Sequence, residues 1–140
     1  MLFAPAADLL NYPVINNLVV SQDAQFRSGR RWLRLEAIEN KLGFDEDQQE
    51  DVNGTIYKIS IKAIVRGDAV MLRQQLFKMS KCKSWIARVR DSAGMIRVVA
   101  APDQLLGFNY KFATGESLSD LRSYQIEFYG SFSRPAAIMS

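Results

Sequence analysis

Between Tyr57 and Val65 the chain alternates, with Tyr57, Ile59, Ile61, Ala63 and Val65 on one side and Lys58, Ser60, Lys62 and Ile64 on the other. A period of two commits the backbone to a strand with one buried face, and a one-residue slip would turn every apolar group to water. The pattern recurs. Leu33, Leu35 and Ala37 alternate with Trp32, Arg34 and Glu36; Phe108, Tyr110 and Phe112 alternate with Asn109 and Lys111; Tyr124, Ile126 and Phe128 alternate with Gln125 and Glu127. Two further apolar runs, 85–90 and 95–100, flank Asp91-Ser92-Ala93-Gly94, whose composition predicts a hairpin turn closed by a left-handed glycine. One segment has the other period. Over residues 69–79, Val70, Leu72, Leu76, Phe77 and Met79 share a helical face opposite Gln74, Gln75 and Lys78, and Asp68 stands at the N-cap position. The predicted fold is α+β, mainly antiparallel β-sheet, as a sandwich or a partly closed barrel of about six or seven strands with one flanking α-helix.

The remaining segments are predicted to be less regular. Residues 1–25 contain Pro5 and Pro13, and their best strand candidate, 14–20, is interrupted by Asn16 and Asn17, so they read as an irregular N-terminal arm with one strand. Residues 43–54 carry Asp45, Glu46, Asp47, Glu50 and Asp51 and end in Asn53-Gly54, a strong turn signal, so they read as an acidic hairpin loop. The loop around Gly115 is polar. No internal repeat and no Pro-, Gly- or Ser-rich linker divides the 140 residues, which therefore read as a single domain, 1–140. A composition 48% hydrophobic and 24% charged is enough to build a core without crosslinks.

The chemistry of catalysis is missing. There is no histidine, hence neither the commonest general base nor the commonest metal ligand. Cys82 is the single cysteine, so no internal disulfide and no thiolate cluster can form. Lys81 and Lys83 could lower its thiol pKa, but no histidine completes a dyad, and cations at a helix terminus are ordinary. The acidic segment begins like a calcium loop at Asp45-x-Asp47, yet Glu50 stands where such a loop needs glycine. Arg66-Gly67-Asp68 and Asn53-Gly54-Thr55 spell adhesion and glycosylation tripeptides and are explained by turn and cap chemistry instead. No glycine-rich phosphate loop is present. The expectation is a non-enzyme with no catalytic residue, cofactor or metal site. No apolar run approaches the roughly 20 residues of a membrane helix, and residues 1–10 lack the pattern of a secretory leader, so a soluble chain made in a reducing compartment is expected.

Charge points to partners. The formal net charge is +3, with acids in excess over residues 1–50 and bases in excess thereafter, an asymmetry that suits head-to-tail association or an anionic partner. Arg27, Arg30, Arg31 and Arg34 interleave with Phe26 and Trp32, and Arg88, Arg90 and Arg97 lie around Trp85. Arginine mixed with aromatics can bind single-stranded nucleic acid. An accessory nucleic-acid-binding domain using Arg27, Arg30, Arg31, Trp32 and Arg34 is therefore one reading. Trp32 and Tyr129, read as exposed, would equally suit a protein interface.

The order of short motifs carries a resemblance. Arg30-Arg31-Trp32, the acidic segment, Asn53-Gly54-Thr55-Ile56-Tyr57, Arg66-Gly67-Asp68 before a helix, Asp91-Ser92-Ala93-Gly94, Ala101-Pro102-Asp103 and Ser123-Tyr124-Gln125-Ile126-Glu127-Phe128 follow one another over residues 27–138. This arrangement resembles small structural proteins encoded in tail-module regions of phages and prophages of Bacteroidetes. Strand-rich domains with one flanking helix are also similar to the tail-tube and tail-completion folds of contractile injection systems. The resemblance implies a non-enzymatic tail subunit that forms a ring or tube through strand edges and the acidic loop. Its partners would be itself and other tail proteins, with DNA contact that is not base-specific and no membrane. It would reside in the bacterial host cytoplasm during assembly and in the virion tail afterwards. On this reading Asp45, Glu46, Asp47, Glu50 and Asp51 meet Arg88, Arg90 or Arg97 of a neighbour. A tail lumen is expected to be negative whereas the chain is slightly basic, so which face lines a channel stays open.

Overall fold

Period-two segments become paired strands wherever one face can be buried. The computed structural model describes residues 1–34, 42–66, 70–91, 93–113 and 123–139. In chain order the strands are β1 (Leu2–Pro5), β2 (Leu9–Asn11), β3 (Val14–Asn16), β4 (Val19–Gln22), β5 (Gln25–Phe26), β6 (Leu33–Arg34), β7 (Leu42–Asp51), β8 (Gly54–Arg66), β9 (Trp85–Arg90), β10 (Ile96–Val99), β11 (Gly107–Ala113), β12 (Ser123–Phe132) and β13 (Ala137–Met139). Ala6–Asp8 form a 3-10 turn and Val70–Ser80 form helix α1. One sheet has four strands in the order β11-β12-β8-β7, another has seven in the order β3-β4-β13-β10-β9-β1-β6, and β2 pairs with β5. Pairing is antiparallel except between β13 and β4. The fold is thus α+β, predominantly antiparallel sheet with one α-helix among the described residues.

The strongest pairing joins β8 to β12 in unbroken register from Tyr57↔Phe132 to Arg66↔Ser123. Its inner face presents Ile59, Ile61 and Ala63 beside Tyr124, Ile126 and Phe128, none more than 1% exposed. These pack in one core with Phe3, Trp85, Ala87, Val89 and Val99 of the seven-stranded sheet. The Phe128 ring lies 5.1 Å from Phe108, 5.6 Å from Phe3 and 5.9 Å from Trp85, in tilted or edge-on contacts that suit aromatic quadrupoles.

Residues 1–25 differ from the predicted irregular arm. β1 lies inside the seven-stranded sheet between β9 and β6, with Phe3 1% and Ala4 0% exposed. It escapes period-two reading because both its faces are buried: Phe3 points into the core just described, while Ala4 joins a second core with Leu9, Ile86, Val98 and Ala100. Phe26, Trp32 and Tyr12 pack on that second core, so the N-terminal segment covers the sheet's other face. The predicted strand over 14–20 is two strands, β3 and β4, turned by Asn17 and Leu18 at φ 50° and 63°. Strands two to four residues long raise the count above the predicted six or seven, since they fall below the length at which alternation can be read.

The predicted acidic loop is also a strand. β7 pairs with β8 from Leu42↔Ala63 to Asp51↔Gly54, leaving Val52 and Asn53 as the turn, with Gly54 at φ 120°. An edge strand has solvent on one side, so it can carry charge and stay paired, and Phe44 supplies its inward anchor. Helix α1 matches the 3.6 period only along Leu72, Leu76 and Met79, which face the core, whereas Val70 and Phe77 of the predicted apolar face are exposed. Asp68 and Ala69, the polar loop around Gly115, Ser92 of the β9–β10 turn, and 35–38 of the predicted strand lie outside the described residues. In that turn the Asp91 carboxylate accepts the N–H groups of Ala93 and Met95, each at 3.0 Å, and Gly94 takes φ 85°.

Truncation of Phe128 to alanine is expected to remove about 3–5 kcal/mol of stability. Urea unfolding should show a lower midpoint with the parent's slope. A parental midpoint would contradict the central placement of this ring.

Candidate functional site

Strand register decides which charged groups share a surface. Ile59, Ile61 and Ala63 point inward, so Lys58, Lys62 and Arg66 project outward from β8. Their register partners place Asp45, Asp47 and Asp51 of β7 on the same outer face, together with Glu127 of β12 and Lys111 of β11. Read across the sheet, charge therefore alternates strand by strand: acid on β7, base on β8, acid on β12, base on β11. Asp47 is directly opposite Lys58, and Lys62 Nζ lies 3.8 Å from Glu127. Pairs of this kind each contribute about 0.2–1 kcal/mol when exposed.

Among the described residues both flanks of this sheet are edges, β7 on one side and β11 on the other. The edges carry opposite charge. Lys111 of β11 is exposed and has no acid partner among the described residues. On β7, Asp45 and Glu50 have no bonded partner among the described residues, Asp47 accepts the Gln49 amide at 2.7 Å, and Asp51 accepts the Val52 N–H at 2.6 Å. A shallow groove of about 550 Å³ runs across the outer face between Gly43, Lys62, Glu127, Asn109 and Lys111.

The predicted interface residues are not all equivalent. Glu46 lies on the inner side of β7, and its Oε1 accepts the N–H of the buried Ala136 at 2.7 Å, which fastens the edge strand to the approach to β13. Arg88 lies 3.5 Å from Asp23. Arg97 lies 3.8 Å from Asp91, with its guanidinium 5.6 Å from the centre of the Phe44 ring. Arg90 is exposed and without a partner among the described residues. Phe44, Glu46, Arg90 and Arg97 line one groove of about 620 Å³ within the single chain. Two of the basic groups predicted to meet a neighbour thus already have acids of their own chain, supplied by Asp23 and by Asp91 of the hairpin turn.

The basic N-terminal cluster is also partly consumed. Arg27 donates from Nε to the Ala7 carbonyl at 3.2 Å, and Arg30 lies 4.0 Å from Asp8, so both fasten residues 27–30 to the 3-10 turn. Trp32, predicted to be exposed, is half-buried: it meets Phe26 edge-on at 5.3 Å and packs on the second core. Arg31 and Arg34 remain exposed. Burial, and after it the charge of Arg34, hold the Met1 amine below its ordinary pKa. Cys82 is half-buried with Sγ 3.6 Å from the Ser84 carbonyl.

Sequence reasoning missed two surface features. Val52, at the tip of the β7–β8 hairpin, is 98% exposed, and Val70 and Phe77 project from α1 at 72% and 55%. A sequence signal existed for Val52 alone, as a β-branched residue in a turn otherwise built of Asp, Asn and Gly. Among the described residues no cluster of acids or cysteines could hold a metal ion, and no helix is long and apolar enough to cross a membrane. Comparison with protein-family models, with curated proteins and with solved structures finds no match.

Replacing Glu46 with alanine would leave the buried Ala136 N–H without its acceptor, at a cost of about 1–3 kcal/mol. Glu46→Gln keeps an acceptor and should stay closer to the parent. Equal urea midpoints for Glu46→Ala and the parent would remove Glu46 from the framework.

Proposed function

We propose that this chain is a non-enzymatic structural subunit, of the kind its sequence resembles in phage and prophage tails, that assembles with its own copies into a ring or tube. The observation that carries the reading is the pair of oppositely charged edges on the four-stranded sheet, to which no further strand is paired among the described residues. Strand direction supports it as well. β7 and β11 run in opposite directions, so a copy placed edge to edge in the same orientation continues the antiparallel order. The charge alternation continues too, since basic β11 of one copy meets acidic β7 of the next. Lys111 is level with Ile64 and Asp45 with Ser60, so a stagger of roughly 13 Å between copies would bring these side chains together. Closed rings of strands require such a stagger.

In this reading the two main sheets form a sandwich, and the outer face of the four-stranded sheet runs on from subunit to subunit. Head-to-tail contact of this type closes into rings or grows into filaments. The subunit would assemble in the host cytoplasm, join other tail proteins and finish in the virion. The nucleic-acid reading has less support, because Arg27, Arg30 and Trp32 of its cluster are engaged within the chain.

Light scattering on a sizing column tests the assembly. The parent should form species larger than a monomer, weakening as salt screens the edges. Asp45→Lys with Asp47→Lys should dissociate them, Lys111→Glu should do the same, and the triple variant, with both edges reversed, should recover assembly. A parent that stays monomeric at every concentration and salt would defeat the proposal, as would normal assembly of the variant carrying Asp45→Lys and Asp47→Lys together.

A further inference from the structure

Helix α1 and the edge strand β11 enclose a groove of about 570 Å³ lined by Val70, Arg73, Gln74, Phe77 and Tyr110. Its apolar surface is open to water, with Val70 72% and Phe77 55% exposed. Its rim is basic. Lys81 Nζ lies 4.5 Å from the centre of the Phe77 ring, and exposed Lys78 follows Phe77 directly. At the far end of the same sheet the β7–β8 hairpin tip has the complementary character. Val52 stands 98% exposed, directly after Glu50 and Asp51, and the Asp51 carboxylate holds the Val52 N–H at 2.6 Å. An aliphatic side chain presented alone at a turn, flanked by acids, gains nothing from its own chain.

We infer that the α1–β11 groove receives the β7–β8 hairpin tip of a second copy, Val52 seating against Phe77 and Val70 while Glu50 and Asp51 meet Lys78 and Lys81. The inference rests on the self-association reading above and names a second contact for it. Charge complementarity, and an apolar side chain at the tip more exposed than any other large apolar group among the described residues, favour this occupant over an unrelated partner. One molecule cannot satisfy the contact internally. Tyr110 is level with Ala63 of β8, and the tip begins at Gly54, so the two surfaces are roughly 30 Å apart along the strand.

The experiment uses the full chain carrying Cys82→Ser, with Val52→Cys and Gln74→Cys introduced together, oxidised and run on a non-reducing gel. Head-to-tail seating should give a ladder of dimers, trimers and higher species, which either single cysteine variant cannot extend past a dimer. In parallel, Val52→Asp should weaken self-association of the otherwise native chain about tenfold by light scattering, as expected for a lost buried valine, while Val52→Ile preserves it. Assembly without a ladder would overturn the tip-in-groove contact and leave edge pairing standing. A chain monomeric by light scattering under all conditions would overturn both.

Discussion

The β8–β12 strand pair is the constraint on which the rest of the molecule depends. Its register is unbroken over ten pairs, and its inner face buries Ile59, Ile61, Tyr124, Ile126 and Phe128 almost completely. With both strands locked, β7 and β11 can only attach to the flanks, and the Phe3, Trp85 and Phe108 rings must pack over Phe128. A register error of one residue here would expose all of these groups at once. The positions of the two edges, and so of every charged group on the outer face, follow from that single alignment.

An edge strand ten residues long is a hazard unless something limits what can pair with it. On β7 the limit is electrostatic. Two copies meeting β7 to β7 would set Asp45 and Asp47 against identical acids, so a symmetric dimer through this edge is disfavoured. The same groups do not oppose a strand that brings a cation. Glu46 has a different task, since its carboxylate is turned inward to the backbone of Ala136. One acidic segment thus combines a fastening residue with outward acids that restrict pairing.

Much of the framework was legible in the alternation. β8, β11 and β12 carry polar residues on one face and large apolar ones on the other, and the β9–β10 hairpin is marked by Asp91 and Gly94. β7 was not legible as a strand, because Asp45, Glu46 and Asp47 place charge on both faces and the apolar groups packed on the core, Leu42 and Phe44, stand only at its start. β1 was hidden for the opposite reason, with Phe3 and Ala4 buried on opposite sides. At the candidate site the acids were visible as a group, but their division between inner and outer sides follows from the register with β8. The internal partners of Arg27, Arg88 and Arg97 lie far away in sequence at Ala7 and Asp23, or across a turn at Asp91.

The place of β1 has a consequence for how the chain reaches this state. Leu2–Pro5 align with Arg88–Trp85, so an inner strand of the larger sheet is completed by β1 and a partner eighty or more positions later. During synthesis β1 can meet β6, about thirty residues on, well before β9 has emerged to take its other side. Contacts of such sequence separation close slowly because the intervening chain loses its freedom before the contact forms. Closure of β1 on β9 is therefore the non-local step of this sheet, and until it occurs the flank of β9 opposite β10 is open to other chains.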